Sequence, residues 1–267
     1  MILALAICTG AMYLTRRCSH TAEQPFAAKR PAHSQGDTID VAIEISPLSY
    51  SLGGDTVSGL DYDMLCDISR AHHRGIKYHP FAPMSYAMAG VRNGNFDIVV
   101  ASLAYTDTLK KRLLLTEAVY LDHEVLLQRL DDTLSIKSAE DLGGDTVWVA
   151  DGSPFAARLR NLAEEIGDSI FVESIRGHTA EHLGILVAKG RIPRAVVNAG
   201  TARALCLRFD NLDGNTPVSF TQLQVWGVAP RRSGLRDTLN TWIAEYKKTP
   251  LYAKRLQQYL QQPTAEK

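Results

Sequence analysis

An alternation of strand and helix patterns, occurring twice along the chain, is the strongest constraint on its fold. The first run predicts strands at residues 39–45, 76–80 and 96–101, with helices at 61–74 and 85–93 between them. The segment at 96–101 (FDIVVA) is almost uniformly apolar, as expected of a strand that is buried on both faces. Strands and helices in this order predict right-handed crossovers and an α/β sheet.

The same pattern restarts in the second half of the chain. Strands are predicted at 146–150, 170–174 and 194–198, and helices at 155–166 and 179–189. Extended crossings at 122–129 and 222–229 flank this unit, and two amphipathic helices, 235–246 and 252–260, close the chain. A chain of 267 residues is long enough for two lobes of about 100 residues each. We therefore predict a first lobe at 38–126 and 226–260, a second at 127–225, and a tail at 261–267.

The N-terminal 37 residues differ in character from the rest. Residues 1–14 are apolar and precede Arg16 and Arg17, and a polar, proline-containing stretch follows. A helix of this length reaches only ~21 Å, short of the ~30 Å hydrocarbon core of a bilayer. Residues 1–37 are predicted to be an export signal or anchor plus a polar tether. Cleavage, anchoring and lipidation at Cys18 remain open alternatives.

Charge and cysteine content exclude several classes of function. Lys plus Arg and Asp plus Glu both number 29, which gives no electrostatic reason to expect a nucleic-acid partner. The four cysteines form no CxxC pair and fit no zinc module. We expect no metal and no cofactor.

Four segments occur in an order and spacing that resemble a known family. They are IDVAIEISPLSYSL with GLDYDML, VRNGNFDIVVASLAYTDTLKKRLLLTEAVY, DLGGDTVWVADGSPFAARL, and SGLRDTLNTWIAEYKKTPLYAKRLQQYL. Together they resemble family 3 solute-binding proteins, which include polar amino-acid receptors of ABC transporters and the N-terminal domain of membrane-bound lytic transglycosylase F. The resemblance covers residues 39–260. It implies the type II periplasmic-binding-protein fold, with two α/β lobes joined by two hinge strands around a ligand cleft.

The resemblance also shows where this chain departs from the amino-acid receptors. Those receptors hold the ligand carboxylate with an Arg in a T-x-E-R stretch, and that position is Leu109 here. They hold the ammonium with an Asp at the end of a second-lobe strand, and Asn198 stands there. Lys110 follows Leu109, but a one-residue shift directs its side chain elsewhere. We therefore expect free α-amino acids to bind weakly.

Eight residues are candidates for ligand binding. Ser102 and Thr106 offer hydroxyls, Asn198 an acceptor without charge, and Gly152 with Ser153 the exposed N–H groups of a helix start. The remaining candidates, which would form a wall by apolar contact or stacking, are Ser49, Tyr50 and Tyr86. Glu44, late in the first strand, faces either the cleft or the surface.

The predicted function is an extracytoplasmic, non-catalytic, monomeric solute-binding protein for a small polar or peptidoglycan-derived ligand. It would lie in the periplasm, with its N-terminus as a possible membrane anchor, and serve transport or sensing through a transporter permease or a cell-wall enzyme. Two alternatives remain: a ligand-independent signalling or scaffold module with a decayed cleft, and a dehydratase-type enzyme on the same fold. No nucleophile with an adjacent base stands out, and lytic activity is expected to be absent from this chain.

Overall fold

The computed structural model of the protein describes residues 38–53, 55–130 and 135–260. The export signal or anchor and tether predicted at 1–37, and the tail predicted at 261–267, lie outside these residues. Within the described ranges, no helix has the length and apolar character needed to cross a membrane.

The first α/β unit holds the N-terminal elements of the described chain. In order, they are β1 (Thr38–Glu44), β2 (Ser51–Gly53), β3 (Thr56–Ser58), α1 (Leu60–Ala71), β4 (Gly75–Phe81), α2 (Met84–Asn93), β5 (Ile98–Val100), α3 (Asp107–Lys110), β6 (Leu114–Leu115) and β7 (Tyr120–Asp122).

The second unit follows, and the chain then returns to the first. Its elements are β8 (Glu124–Arg129), a 3-10 turn (Ala139–Leu142), β9 (Thr146–Ala150), α4 (Phe155–Ile166), β10 (Phe171–Ile175), α5 (Ala180–Ala188), β11 (Arg194–Asn198), α6 (Ala199–Arg208) and β12 (Leu212–Pro217). The returning elements are β13 (Gln222–Gln224), β14 (Gly227–Val228), a 3-10 turn (Pro230–Arg232), α7 (Ser233–Tyr246) and α8 (Pro250–Leu260).

Each lobe is built on a five-stranded sheet of the same plan. The first sheet has the order β4-β1-β5-β14-β6, and the second has the order β10-β9-β11-β8-β12. In each sheet, the first three strands are parallel. The fourth strand, which follows one of the crossings between the lobes, pairs antiparallel with the third. The three central strands β1, β5 and β11 are almost entirely buried, as their apolar sequences predict.

The two crossings between the lobes form a small antiparallel pair, in which β7 bonds to β13. The extended run predicted at 122–129 divides at His123, because β8 lies wholly in the second sheet between β11 and β12. The lobe boundary predicted at residue 126 therefore falls inside β8, and the chain changes lobes between Asp122 and Glu124. An apolar extended pattern is the same in a hinge strand and a sheet strand, so the sequence could not separate the two.

A buried carboxylate ties both crossings to the first lobe. Asp61, in the first turn of α1, is fully buried. Its side chain accepts hydrogen bonds from the Ser49 hydroxyl at 2.7 Å, the Trp226 indole N–H at 2.8 Å and the Tyr120 hydroxyl at 3.3 Å. Tyr120 belongs to β7 and Trp226 comes two residues after β13. We call this set of four residues the hinge hub.

Candidate functional site

The carboxyl ends of the parallel strands of both lobes meet at one cavity, as open α/β sheets generally arrange their ligand sites. From the first lobe, Glu44 ends β1 and Ser102 follows β5. From the second, Asp151 follows β9 and Asn198 ends β11. Other polar side chains that line the cavity are Ser46, Ser153, Thr179 and Thr201.

The lobes are closed over this cavity. Its volume is about 20 Å³, room for about one water molecule. A β-carbon placed on Gly200 would lie 2.8 Å from Cδ1 of Leu48 in the other lobe, and one on Gly152 would lie 3.9 Å from Cβ of Met84. A solute larger than water can enter only if the lobes separate at the hinge.

Glu44 and Asp151 are the ionisable groups among the described residues that line the cavity. The Glu44 carboxylate accepts a 3.4 Å hydrogen bond from the backbone N–H of Ser102. Burial raises the pKa of Glu44 from its ordinary 4.5 to about 7, which outweighs the opposing effect of that hydrogen bond, and the nearby Asp61 raises the pKa further. No lysine, arginine or histidine is among the described residues that line the cavity, so Glu44 has no cationic partner there.

Asn198 connects the cavity to the hinge. Asp122, at the end of β7, accepts hydrogen bonds from the backbone N–H groups of His123 at 2.8 Å and Gly200 at 3.5 Å. Burial raises the pKa of Asp122 to about 6, although those bonds and one from the Asn198 side chain oppose the rise. Asn198 therefore lines the ligand cavity and also bonds to a buried hinge carboxylate.

Ser153 presents its hydroxyl to the cavity, whereas its backbone N–H, predicted to be exposed for a ligand, donates to the carbonyl oxygen of Ala150 at 3.1 Å. Ser153 follows Gly152, whose φ of 74° turns the chain from β9 towards α4. The Ser153 Oγ is buried and has no hydrogen-bond partner in the described part of the chain. A buried hydroxyl without a partner costs free energy, so a ligand that supplies one gains affinity.

The other four candidates have different contacts in this closed form. Ser49 belongs to the hinge hub. The Tyr50 ring packs edge-on against Tyr62, with centroids 5.5 Å apart. Tyr86 is about half exposed and packs beside another ring. The Thr106 hydroxyl caps α3 by accepting the backbone N–H of Leu109 at 3.3 Å. None of the four lines the closed cavity, and contact with a ligand in an open cleft stays a prediction for each.

Leu109, which the resemblance places where the amino-acid receptors carry an arginine, has an apolar environment in the structure. Like Met84 and Met88, Leu109 is partly buried and packs against an apolar cluster of the first lobe that includes Phe96. Lys110 lies on the surface, where it pairs with Asp107 at 2.9 Å. Among the described residues that line the cavity, no lysine or arginine stands in for such an arginine.

The sequence analysis left the role of Glu44 open and missed Asp151, Thr179 and Thr201. Glu44 and Asp151 could have been found from position, because each stands at the carboxyl end of a predicted parallel strand. Thr179 caps α5 through a capping box, so its sequence pattern indicated only a helix start.

A substitution at Gly200 is expected to hold the lobes apart. The added β-carbon of Gly200→Ala would lie 2.8–3.0 Å from side-chain atoms of Leu48 and Leu260, both on first-lobe elements. Overpacking of this kind costs about 1–3 kcal/mol, and here only the closed form pays it. Small-angle scattering should show a larger radius of gyration for the variant. Gly234→Ala is the matched control, since a β-carbon there meets nothing within 4 Å. An unchanged scattering curve for Gly200→Ala would show that the contact does not control closure.

Comparison with known proteins identifies a sequence family that the chain matches and several similar proteins. The sequence profile described as "Bacterial extracellular solute-binding proteins, family 3" matches residues 38–262. The membrane-bound lytic murein transglycosylase F of Shewanella pealeana is 26% identical over 202 residues, which cover 74% of this chain and 41% of that protein. The enzyme of the same name from Actinobacillus pleuropneumoniae is 24% identical over 162 residues, 61% of this chain and 33% of that one. The chain thus spans less than half the length of these relatives.

Solved structures show the same fold at low identity. An ancestral arginine-binding protein bound to arginine superposes with a TM-score of 0.74 at 19% identity, covering 85% of this chain and all of that one. The GluR0 ligand-binding core in complex with L-glutamate superposes with a TM-score of 0.70 at 15% identity over the same shares. The predicted type II periplasmic-binding-protein fold is confirmed.

Proposed function

Because the chain belongs to family 3 of the bacterial extracellular solute-binding proteins, we propose that it is a non-catalytic receptor that closes two lobes on a small polar ligand. One observation carries the proposal: polar side chains at the strand ends of both lobes line a single cavity at the hinge. A ligand held there contacts both lobes at once. Such a ligand favours the closed form by the difference between its affinities for the two forms.

We also propose a cellular location and a partner for this receptor. The receptor works in the periplasm as a monomer, either held at the membrane or released from it. It delivers its ligand to a transporter permease, or its closed form is recognised by a permease or a cell-wall enzyme. The relatives from Shewanella pealeana and Actinobacillus pleuropneumoniae are lytic murein transglycosylases by name, which supports a peptidoglycan-derived ligand. The absence of charged anchors at Leu109 and Asn198 supports a ligand other than a free amino acid.

The chemistry of the cavity supports a binding role over catalysis. The described residues that line the cavity include three serines, Ser46, Ser102 and Ser153, but no histidine. A serine nucleophile needs an adjacent base within hydrogen-bond reach. A second candidate function, a scaffold module with a decayed cleft, is favoured by the small volume of the closed cavity.

A ligand screen separates the two functions. Purified protein is tested by thermal shift against muropeptides, dipeptides, sugars, amines and amino acids, and the best ligand is then studied by small-angle scattering. A receptor should gain melting temperature through mass action and become more compact. If no compound stabilises or compacts the protein, the scaffold function replaces the receptor.

Asn198→Ala should weaken binding of the best ligand by about 1–3 kcal/mol, measured by calorimetry, because a polar ligand group loses its partner. Lys110→Ala is the control and should leave the affinity unchanged, since Lys110 lies on the surface outside the cavity. Equal affinities for Asn198→Ala and the unmodified protein would remove Asn198 from the site.

A further inference from the structure

We infer that the cleft selects a small amine that carries no carboxylate, with Glu44 as the partner of its ammonium group. The inference rests on the proposed receptor function and names the chemical class of its ligand. It starts from the charges that face the cavity and from the hydrogen bonds that those groups lack.

The cavity carries negative charge from both lobes and no positive charge. Glu44 lies on the first lobe and Asp151 on the second, and the described residues that line the cavity include no lysine, arginine or histidine. A second acid, Asp61 of the hinge hub, lies close enough to Glu44 to raise its pKa. A ligand carboxylate would be buried beside Glu44 without a cation, which low dielectric makes costly.

The hydrogen-bonding capacity of Glu44 also favours an amine over a carboxylate as its ligand. An ionised carboxylate offers about four acceptor sites. In the described structure Glu44 uses one of them for a hydrogen bond, a long one of 3.4 Å from Ser102. An ammonium group supplies both the missing donors and the missing charge, and charge-assisted hydrogen bonds are roughly twice as strong as neutral ones.

The surrounding groups can complete the coordination of an ammonium ion. The unpartnered Ser153 hydroxyl and the side chains of Thr179 and Asn198, all from the second lobe, line the same cavity. Each has an oxygen that can accept an N–H bond. An ammonium between Glu44 and these oxygens would join the two lobes, whereas Glu44 alone binds only from one side.

Matched pairs of compounds test the inference, because each pair differs only in a carboxylate. Agmatine is compared with arginine and cadaverine with lysine, by calorimetry on the purified protein at pH 8. We expect the amine of at least one pair to bind about tenfold or more tighter than its amino acid. Glu44→Gln should weaken amine binding by about tenfold or more and change amino-acid binding much less. Asp107→Asn, an exposed acid outside the cavity, is the control and should change neither.

The outcomes separate this inference from the receptor function. Equal or tighter binding of arginine and lysine would overturn the amine inference and leave a receptor in place. Binding of neutral sugars such as N-acetylglucosamine, with no amine bound, would have the same meaning. If no compound in the screen binds or compacts the protein, the receptor function itself fails, and the amine inference fails with it.

Discussion

Asp61→Ala should lower the free energy of unfolding by about 3 kcal/mol or more, the largest effect expected of a single substitution outside the apolar core. The change leaves the Trp226 indole N–H and the Ser49 and Tyr120 hydroxyls without their shared acceptor. Each buried donor left unpaired costs about 1–3 kcal/mol. Urea unfolding followed by tryptophan fluorescence and circular dichroism measures the loss.

Two further variants show whether the hydrogen bonds or the charge of Asp61 matter. Asp61→Asn keeps a side-chain oxygen as acceptor and should cost clearly less than Asp61→Ala. Burial already raises the pKa of Asp61 to about 6, so the charge itself is not favoured at this position. Asp237→Ala removes an exposed acid on α7 and should leave stability within about 0.5 kcal/mol. Similar small losses for Asp61→Ala and Asp237→Ala would show that the hinge hub does not hold the fold.

Glu44→Gln should stabilise the ligand-free protein at pH 8 and leave its stability unchanged at or below pH 4.5. A carboxyl whose pKa is raised on folding contributes stability that is fully present below its unfolded pKa. That contribution is lost as the pH rises through its folded pKa. For Glu44 the window runs from 4.5 to about 7. One pKa unit corresponds to about 1.4 kcal/mol, so a shift from 4.5 to about 7 should give a gain of about 3 kcal/mol at pH 8.

Urea unfolding of both proteins at several pH values measures this difference. Asp61 and Asp122 also have raised pKa values, of about 6. The unmodified protein therefore loses further stability as the pH rises towards 6, in a lower pH range than the loss due to Glu44. These two acids are present in both proteins, so their effects cancel in the comparison. If the two stability curves stay parallel from pH 4.5 to pH 8, Glu44 does not titrate in the closed cleft.

The architecture was largely predictable from the sequence because it depends on local patterns. Apolar runs of four to eight residues gave β1, β9 and β11, and three- and four-residue spacing gave α1 and α4. Alternation of these elements specified two α/β lobes, and their strand ends specified where a ligand would bind. The pattern missed α6, a helix that begins immediately after β11 and has a weakly amphipathic sequence.

The hydrogen-bond partners of the polar side chains depended on the tertiary structure. Ser49 stands in a loop that resembles a ligand loop, yet its hydroxyl bonds to Asp61, twelve residues along the chain. Trp226 reaches the same carboxylate from 165 residues away. Asn198, which the resemblance places at a ligand position, bonds to Asp122 of the hinge. Glu44 ends β1 and lines a cavity whose other wall comes from the second lobe. The sequence by itself determined most of the elements that form and the strand ends at which a ligand site is predicted, because helix and strand periodicity is set by near neighbours. Which side chains meet there depended on contacts between residues far apart in sequence, which only the packed lobes define.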